Sequence, residues 1–190
     1  MHIEFEAKFF VDHDEMKQKL MQMGAVCVRP RVLMRRYVFG VLGSHHEQWL
    51  RVRDEGEYNT LTLKSFDKSK PLDITSVTEL EVKVSDFDSM VAILKALGYE
   101  VVTYVENYRE VWQLQDCYFM LDLWPWLDPL LEIEGQNQQI VCENAALLGL
   151  NMQDATYGPN RLMYQKMYQI SEQEIKATTR LTFQEKPAWA

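Results

Sequence analysis

The feature that most constrains this chain is a two-residue alternation of charged and apolar side chains that recurs on segment after segment. In MHIEFEAKFF, Glu4, Glu6 and Lys8 alternate with Ile3, Phe5, Ala7 and Phe9. A strand repeats every two residues, so the charges face one side of a sheet and the apolar groups the other. The same alternation returns in WLRVRD (Arg51, Arg53), TLTLKSF (Thr60, Thr62, Lys64) and TELEVKV (Glu79, Glu81, Lys83). It continues in NYREVW (Arg109), FMLDLW (Asp122) and LLEIEG (Glu132, Glu134). Solvated faces mix Lys, Glu, Thr, Ser and Gln without repetition. Here the acids come as E-x-E, the bases as R-x-R, and Arg, which suits bidentate phosphate contacts, dominates the basic set.

Eight segments read as strands: residues 3 to 11, 33 to 39, 48 to 54, 58 to 65, 77 to 84, 106 to 114, 117 to 123 and 130 to 134. About eight strands can close into a barrel with alternating interior and exterior positions. Three amphipathic stretches read as helices packed outside it. Residues 13 to 23 place Met16, Leu20 and Met23 on one face and stop at Gly24. Residues 87 to 97 follow Asp86 as N-cap and stop at Gly98, and residues 138 to 148 stop at Gly149. Strands of this kind with helices outside suit an α+β fold in which the sheet can close on itself. One domain over residues 1 to 170 is the expectation, with a tail over 171 to 190 that can start with a capping box from Ser171 to Glu174.

Composition removes several classes of function. Cys27, Cys117 and Cys142 are odd in number, far apart and never C-x-x-C, so they read as reduced structural thiols. His2, His13, His45 and His46 lack zinc-site spacing, and the adjacent pair reads as loop. A formal net charge of -8 argues against general nucleic-acid binding. No stretch approaches the roughly eighteen apolar residues of a membrane span, and cytoplasmic residence is the expectation.

A barrel interior lined with both signs of charge is costly unless its contents pair them. A metal ion with a polyphosphate would do so. Hard cations take carboxylate oxygens, while Arg and Lys neutralise nonbridging phosphate oxygens. E-x-E-x-K then supplies two acids for the metal and, one step on, a lysine for the phosphate it carries.

The N-terminal E-x-E-x-K, the later R-x-R, a strand ending in Lys, and a distal acid followed by E-x-E together resemble the CYTH family, the triphosphate tunnel metalloenzymes. The resemblance covers about residues 1 to 168 and implies the family's fold, an α+β eight-stranded antiparallel closed β-barrel forming a tunnel, with helices packed outside. That family includes class IV adenylyl cyclases, thiamine triphosphatases and inorganic triphosphatases. The resemblance implies that Glu4, Glu6, Asp122, Glu132 and Glu134 hold Mg²⁺ or Mn²⁺, and that Lys8, Arg51, Arg53, Lys64 and Arg109 hold a triphosphate. Glu79 matches a tunnel acid, and Lys83 shares its face, so both join the substrate-binding set. Lys64, Glu4 and Glu6 would be catalytic. The chain departs from the family in having Asn107-Tyr108-Arg109 where K-x-R is common. Arg36 stands where an Asp is common, and can restore the lost cation from another strand.

These residues imply a metal-dependent phosphohydrolase for a linear triphosphate: inorganic triphosphate, thiamine triphosphate or a nucleoside triphosphate. The alternatives are a class IV adenylyl cyclase and a non-catalytic polyphosphate-binding module, with a barrel of solvated charges as the plainest case. The loop WPWLDP, with Trp124 and Trp126, either stacks a ring of the ligand or simply packs. The partner is a triphosphate-bearing small molecule, with neither nucleic acid nor membrane, and the chain is a monomer or homodimer. One test separates tunnel from surface: Lys64→Ala should reduce triphosphate turnover far more than Lys70→Ala, because Lys70 lies in a turn before Pro71. Comparing kcat/KM of the two variants checks it.

Overall fold

A computed structural model describes residues 2 to 41, 47 to 67 and 69 to 190. The His45-His46 pair lies outside the described residues. Among them the order is β1 (His2–Phe10), α1 (His13–Gln22), β2 (Val26–Gly40), β3 (Glu47–Asp54), β4 (Asn59–Phe66), β5 (Val77–Val84) and α2 (Phe87–Ala96). Then come β6 (Val101–Leu114), β7 (Cys117–Leu123), β8 (Leu130–Gly135), α3 (Gln138–Leu147), a 3-10 turn (Met152–Asp154), α4 (Arg161–Tyr168), α5 (Glu172–Lys176) and β9 (Arg180–Leu181). Strands neighbour in the order β2-β3-β4-β5-β1-β8-β7-β6, and β2 pairs with β6 to close the barrel. All eight pair antiparallel, and β9 adds outside the ring, parallel to β6.

The apolar core lies outside the barrel wall. Met16 and Leu20 of α1 and Val141, Ala145 and Leu148 at α3 cover Ala7, Phe9, Phe119, Leu121, Leu131 and Ile133. On the far side, Phe87, Val91 and Leu94 of α2 cover Phe39 and Val52. Each helix begins where its cap dictates: Asp12, Asp86 and Asn137 accept the backbone N–H of Glu15, Ser89 and Ile140. Every apolar strand residue so covered leaves its charged neighbours facing inward. No described helix is long and apolar enough to cross a membrane.

Two strands extend beyond the expected bounds. β2 begins at Val26, where the sequence reading began it at 33. Pro30 sits within the register shift between Arg29 and Val32, which follows another between Cys27 and Arg29, and a proline in a strand is tolerated at such irregularities. β6 begins at Val101, not 106. Past α3, the chain fills two short places in the wall. β1 pairs with β5 over His2 to Glu4, and further along the backbone of Lys8 exchanges hydrogen bonds with Thr156. β7 pairs with β6 from Tyr108 onward, and β9 takes the vacant edge at Tyr104 and Val105. Arg180 and Leu181, within the expected tail, thus join the wall. The capping box from Ser171 to Glu174 is formed, and Ile175, Leu181 and Trp189 pack with Tyr164, Trp124 and Val105.

This packing makes a stability prediction. Leu181→Ala, at a site 5% exposed, should cost about 2–4 kcal/mol, whereas Leu80→Ala, at 52%, should stay within about 0.5 kcal/mol. Urea midpoints of the two variants test it.

Candidate functional site: a cavity with an acidic and a basic wall

The inward residues enclose a cavity of about 630 Å³. Of the residues singled out from the sequence, Glu4, Glu6, Lys8, Arg36, Arg51, Arg53, Lys64, Glu79, Arg109, Glu132 and Glu134 line it. Asp122 and Lys83 do not. Asp122 is 1% exposed and lies behind the lining, accepting from Arg109 Nε at 2.7 Å and Nη2 at 2.6 Å, and from Asn107 Nδ2 at 3.2 Å. It is therefore placed to orient Arg109. Lys83 is exposed, with its ammonium 4.4 Å from the centre of the Tyr58 ring.

Charge is segregated around the ring of strands. β1, β8 and β5 carry the carboxylates, while β2, β3 and β6 carry the guanidiniums. Between the acids stand two lysines: Lys8 Nζ is 2.5 Å from Glu6 Oε1, and Lys64 Nζ is 2.7 and 2.6 Å from the two oxygens of Glu4 and 3.3 Å from Glu79. Lys8 also donates to the Gly158 carbonyl at 3.0 Å, which ties the acidic wall to the segment after α3.

The lysines do not balance the acids around them. Burial pushes the Glu6 carboxyl up from 4.5 to about 8; Lys8 opposes the rise and Glu132 adds to it. Burial likewise lifts Glu134 to about 7, reinforced by Glu132 and Glu4. Burial acts upward on Glu132 too, but there Lys8 and Arg109 prevail and hold it well below the usual range. Arg109 Nη2 lies 3.0 Å from Glu132 Oε2.

The basic wall has the opposite imbalance. Arg51 donates to Thr62 at 3.2 Å and meets Glu81 at 3.3 Å, and Arg53 binds Glu55. Arg36 is 6% exposed and forms no ion pair among the described residues. Its Nη2 donates to Asn107 Oδ1, its plane lies 4.5 Å over Trp124, and its buried Nε lacks a hydrogen-bond partner. Burial pulls its pKa well below the ordinary value, and Arg53, Arg51 and Arg109 pull the same way. Arg36 and Asn107, the two departures from the family pattern, therefore touch each other.

In the WPWLDP loop Trp126 packs, while Trp124 also borders the cavity. Trp124 lies beneath Arg36, and Trp126 Nε1 donates to the carbonyls of Thr182 and Glu185 at 2.9 and 3.0 Å. All three cysteines are free; Cys117 is buried and pushed up to about 12. The sequence reading missed Arg161 and Lys176, which reach the cavity from α4 and α5. Helical residues give no alternation to signal them. It also missed Glu55, although 55 continues the inward series 51, 53.

A chain with this barrel and these two walls is a CYTH protein: the CYTH domain family matches residues 2 to 146, and the protein belongs to that family. A protein of Methanocaldococcus jannaschii, named "putative adenylate cyclase", is 28% identical over 137 residues, covering 70% of this chain and 76% of its own. A solved structure from Pyrococcus horikoshii OT3 superposes with a TM-score of 0.70 at 25% identity, over 85% of this chain and 99% of that one. One from Vibrio parahaemolyticus, also named "putative adenylate cyclase", gives 0.69 at 13% identity over 86% and 98%, a likeness of fold alone.

The raised carboxyls yield a pH prediction. A carboxyl whose folded pKa exceeds its unfolded value keeps a proton that the unfolded chain releases, so stability falls as pH rises between the two. For Glu6 that window runs from 4.5 to about 8. Across it, in metal-free buffer, the urea midpoint of Glu6→Gln should rise relative to that of the wild type.

Proposed function

We propose that this protein is a metal-dependent enzyme acting on a linear triphosphate, with hydrolysis of the chain as the leading reaction. The observation that carries the reading is Arg36: a buried guanidinium among three others, without an ion-pair partner among the described residues, marks a place suited to an anion. The acidic wall is short of positive charge in the same way, since burial, reinforced by neighbouring carboxylates, raises Glu6 to about 8 and Glu134 to about 7.

The donor set fits a hard divalent cation, because it consists of carboxylate oxygens crowded beyond what their lysines neutralise. Among the described residues no three metal-binding side chains yet converge on one point. Glu4, Glu6, Glu132 and Glu134 would hold Mg²⁺ or Mn²⁺, which supplies charge stabilisation at the phosphoryl oxygens. Lys8, Lys64, Arg36, Arg51, Arg53 and Arg109 hold the nonbridging oxygens and align the chain for in-line attack by water on a terminal phosphorus. Asp122 keeps the Arg109 fork turned into the cavity, and Glu79 shares Lys64 with Glu4. Lys83 drops out of the proposed set.

The second reading is adenylyl cyclase, in which the ribose 3'-hydroxyl attacks the α-phosphorus and pyrophosphate leaves. Two observations favour it. A relative carries that name, and the cavity reaches past its charges to Val38, Trp49, Val102 and Ile175, leaving room for an organic group.

Product analysis separates the two. Purified protein is incubated with inorganic triphosphate, thiamine triphosphate and ATP, with Mg²⁺ and separately with Mn²⁺. Orthophosphate without cyclic AMP supports hydrolysis, cyclic AMP with pyrophosphate supports the cyclase, and no turnover with retained binding leaves a polyphosphate-binding module. Arg36→Met and Arg53→Ala should each weaken triphosphate binding about 10-fold or more, as expected for loss of a charged hydrogen-bond donor. Glu4→Gln and Glu6→Gln should instead collapse turnover and its metal dependence.

A further inference from the structure

The two ends of the barrel differ. At one, Gln48, Trp49, Arg161, Lys176 and Thr178 border the cavity, and the side chains of Arg161 and Lys176 are 20% and 45% exposed. At the other, the lining on β3 stops at Arg53, and the next inward residue, Glu55, is 4% exposed. Thr60 and Asn107, beside Arg53 and Arg36, are both 0% exposed, so this end is packed against water.

Glu55 is clamped from two strands. Arg53 Nε donates to its Oε1 at 2.8 Å, and Arg29 Nη1, from β2, donates to its Oε2 at 2.8 Å. Arg29 Nη2 meets the Tyr58 hydroxyl at 2.5 Å, and Glu55 N donates to the Tyr58 carbonyl at 2.9 Å. The turn that follows is pressed onto β2. Gly56 has φ +88°, and a Cβ there would stand 2.7 Å from Val32 Cγ2. Burial would raise the Glu55 carboxyl, yet Arg53 and Arg29 bring it down to about 2, so it is ionised throughout the neutral range.

The cations gather at this same end. Arg36, Arg53 and Arg109 meet there, whereas Val38, Trp49, Val102 and Ile175 lie toward the open mouth. A triphosphate chain lying along the cavity would put its terminal phosphate against the guanidiniums and any organic group toward the mouth.

We infer that Glu55, held by Arg29, is a stopper that determines specificity: the site takes a triphosphate with a free terminal phosphate and rejects chains esterified at both ends. This rests on the triphosphate reading above. The reason is steric and electrostatic together. A second ester group would have to pass a packed turn, and the chain would have to approach an anionic carboxylate with no room for water between them.

The test is calorimetric titration with Mg²⁺ of three probes: inorganic triphosphate, ATP, and P1,P3-di(adenosine-5') triphosphate. The first two should bind the wild type, and the doubly esterified compound at least about 30-fold more weakly than ATP. Glu55→Gly should shrink that gap by about tenfold or more, and Arg29→Ala, which frees the outer side of the clamp, should shift it in the same direction. Circular dichroism verifies that each variant is folded, and the ratio of two affinities is insensitive to a general loss of site integrity. Binding of the doubly esterified compound to the wild type within about threefold of ATP overturns the stopper, as does an unchanged gap in the folded variants. If neither inorganic triphosphate nor ATP binds the wild type, the triphosphate reading itself falls and this inference with it.

Discussion

Charge buried inside a closed sheet has to be compensated where it lies, because little water reaches it and the hydrogen-bonded wall prevents the side chain from swinging out. That constraint organises the molecule. The pleat sends every second side chain inward, and the apolar alternates go out beneath α1, α2 and α3, so the usual relation of core to shell is inverted. What would be filler in a smaller barrel is here a set of ion pairs whose partners come from strands one or two places apart: Lys64 with Glu79 and Glu4, Arg109 with Asp122 and Glu132. Buried pairs of this kind contribute little net stability but penalise any register that separates them.

The wall depends equally on the chain beyond the family-matched residues. Thr156 and β9 lie against strand edges at Lys8 and at Tyr104 and Val105. An open edge there would leave backbone groups unpaired beside a charged interior. The same segment delivers Arg161 and Lys176 to the mouth, so closing the barrel and furnishing its entrance are one structural act.

The barrel, its helices and most of its lining were legible because both rest on short periods. Period two set the faces of eight strands, and trailing glycines, with Asp86 as an N-cap, marked the three covering helices. What was not legible depends on register and on where a strand leaves the barrel. Asp122 reads as one more inward acid, and it does share the inner face with Arg109, directly across from it on β6, but the Arg109 fork is bound over it and keeps it out of the lining. Lys83 has the right phase, but it sits beyond the level at which the lining ends. The first part of β2 is disguised by Pro30 and its bulges. Arg36 drew notice as an anomaly of sequence; its contact with Asn107 shows the two anomalies to be neighbours.

Lys8 and Lys64 hold their ammonium groups 2.5 to 2.7 Å from the carboxylates of Glu6 and Glu4. Each is an internal counter-ion seated among the oxygens that the proposed reading assigns to a metal. A free divalent cation would have to evict a covalently tethered competitor whose local concentration never falls. A triphosphate offers both lysines new partners and arrives with its own bound cation. On that reading the acidic wall responds poorly to metal alone and well to the metal chelate of the substrate, which makes the two lysines an order-of-binding device written into E-x-E-x-K.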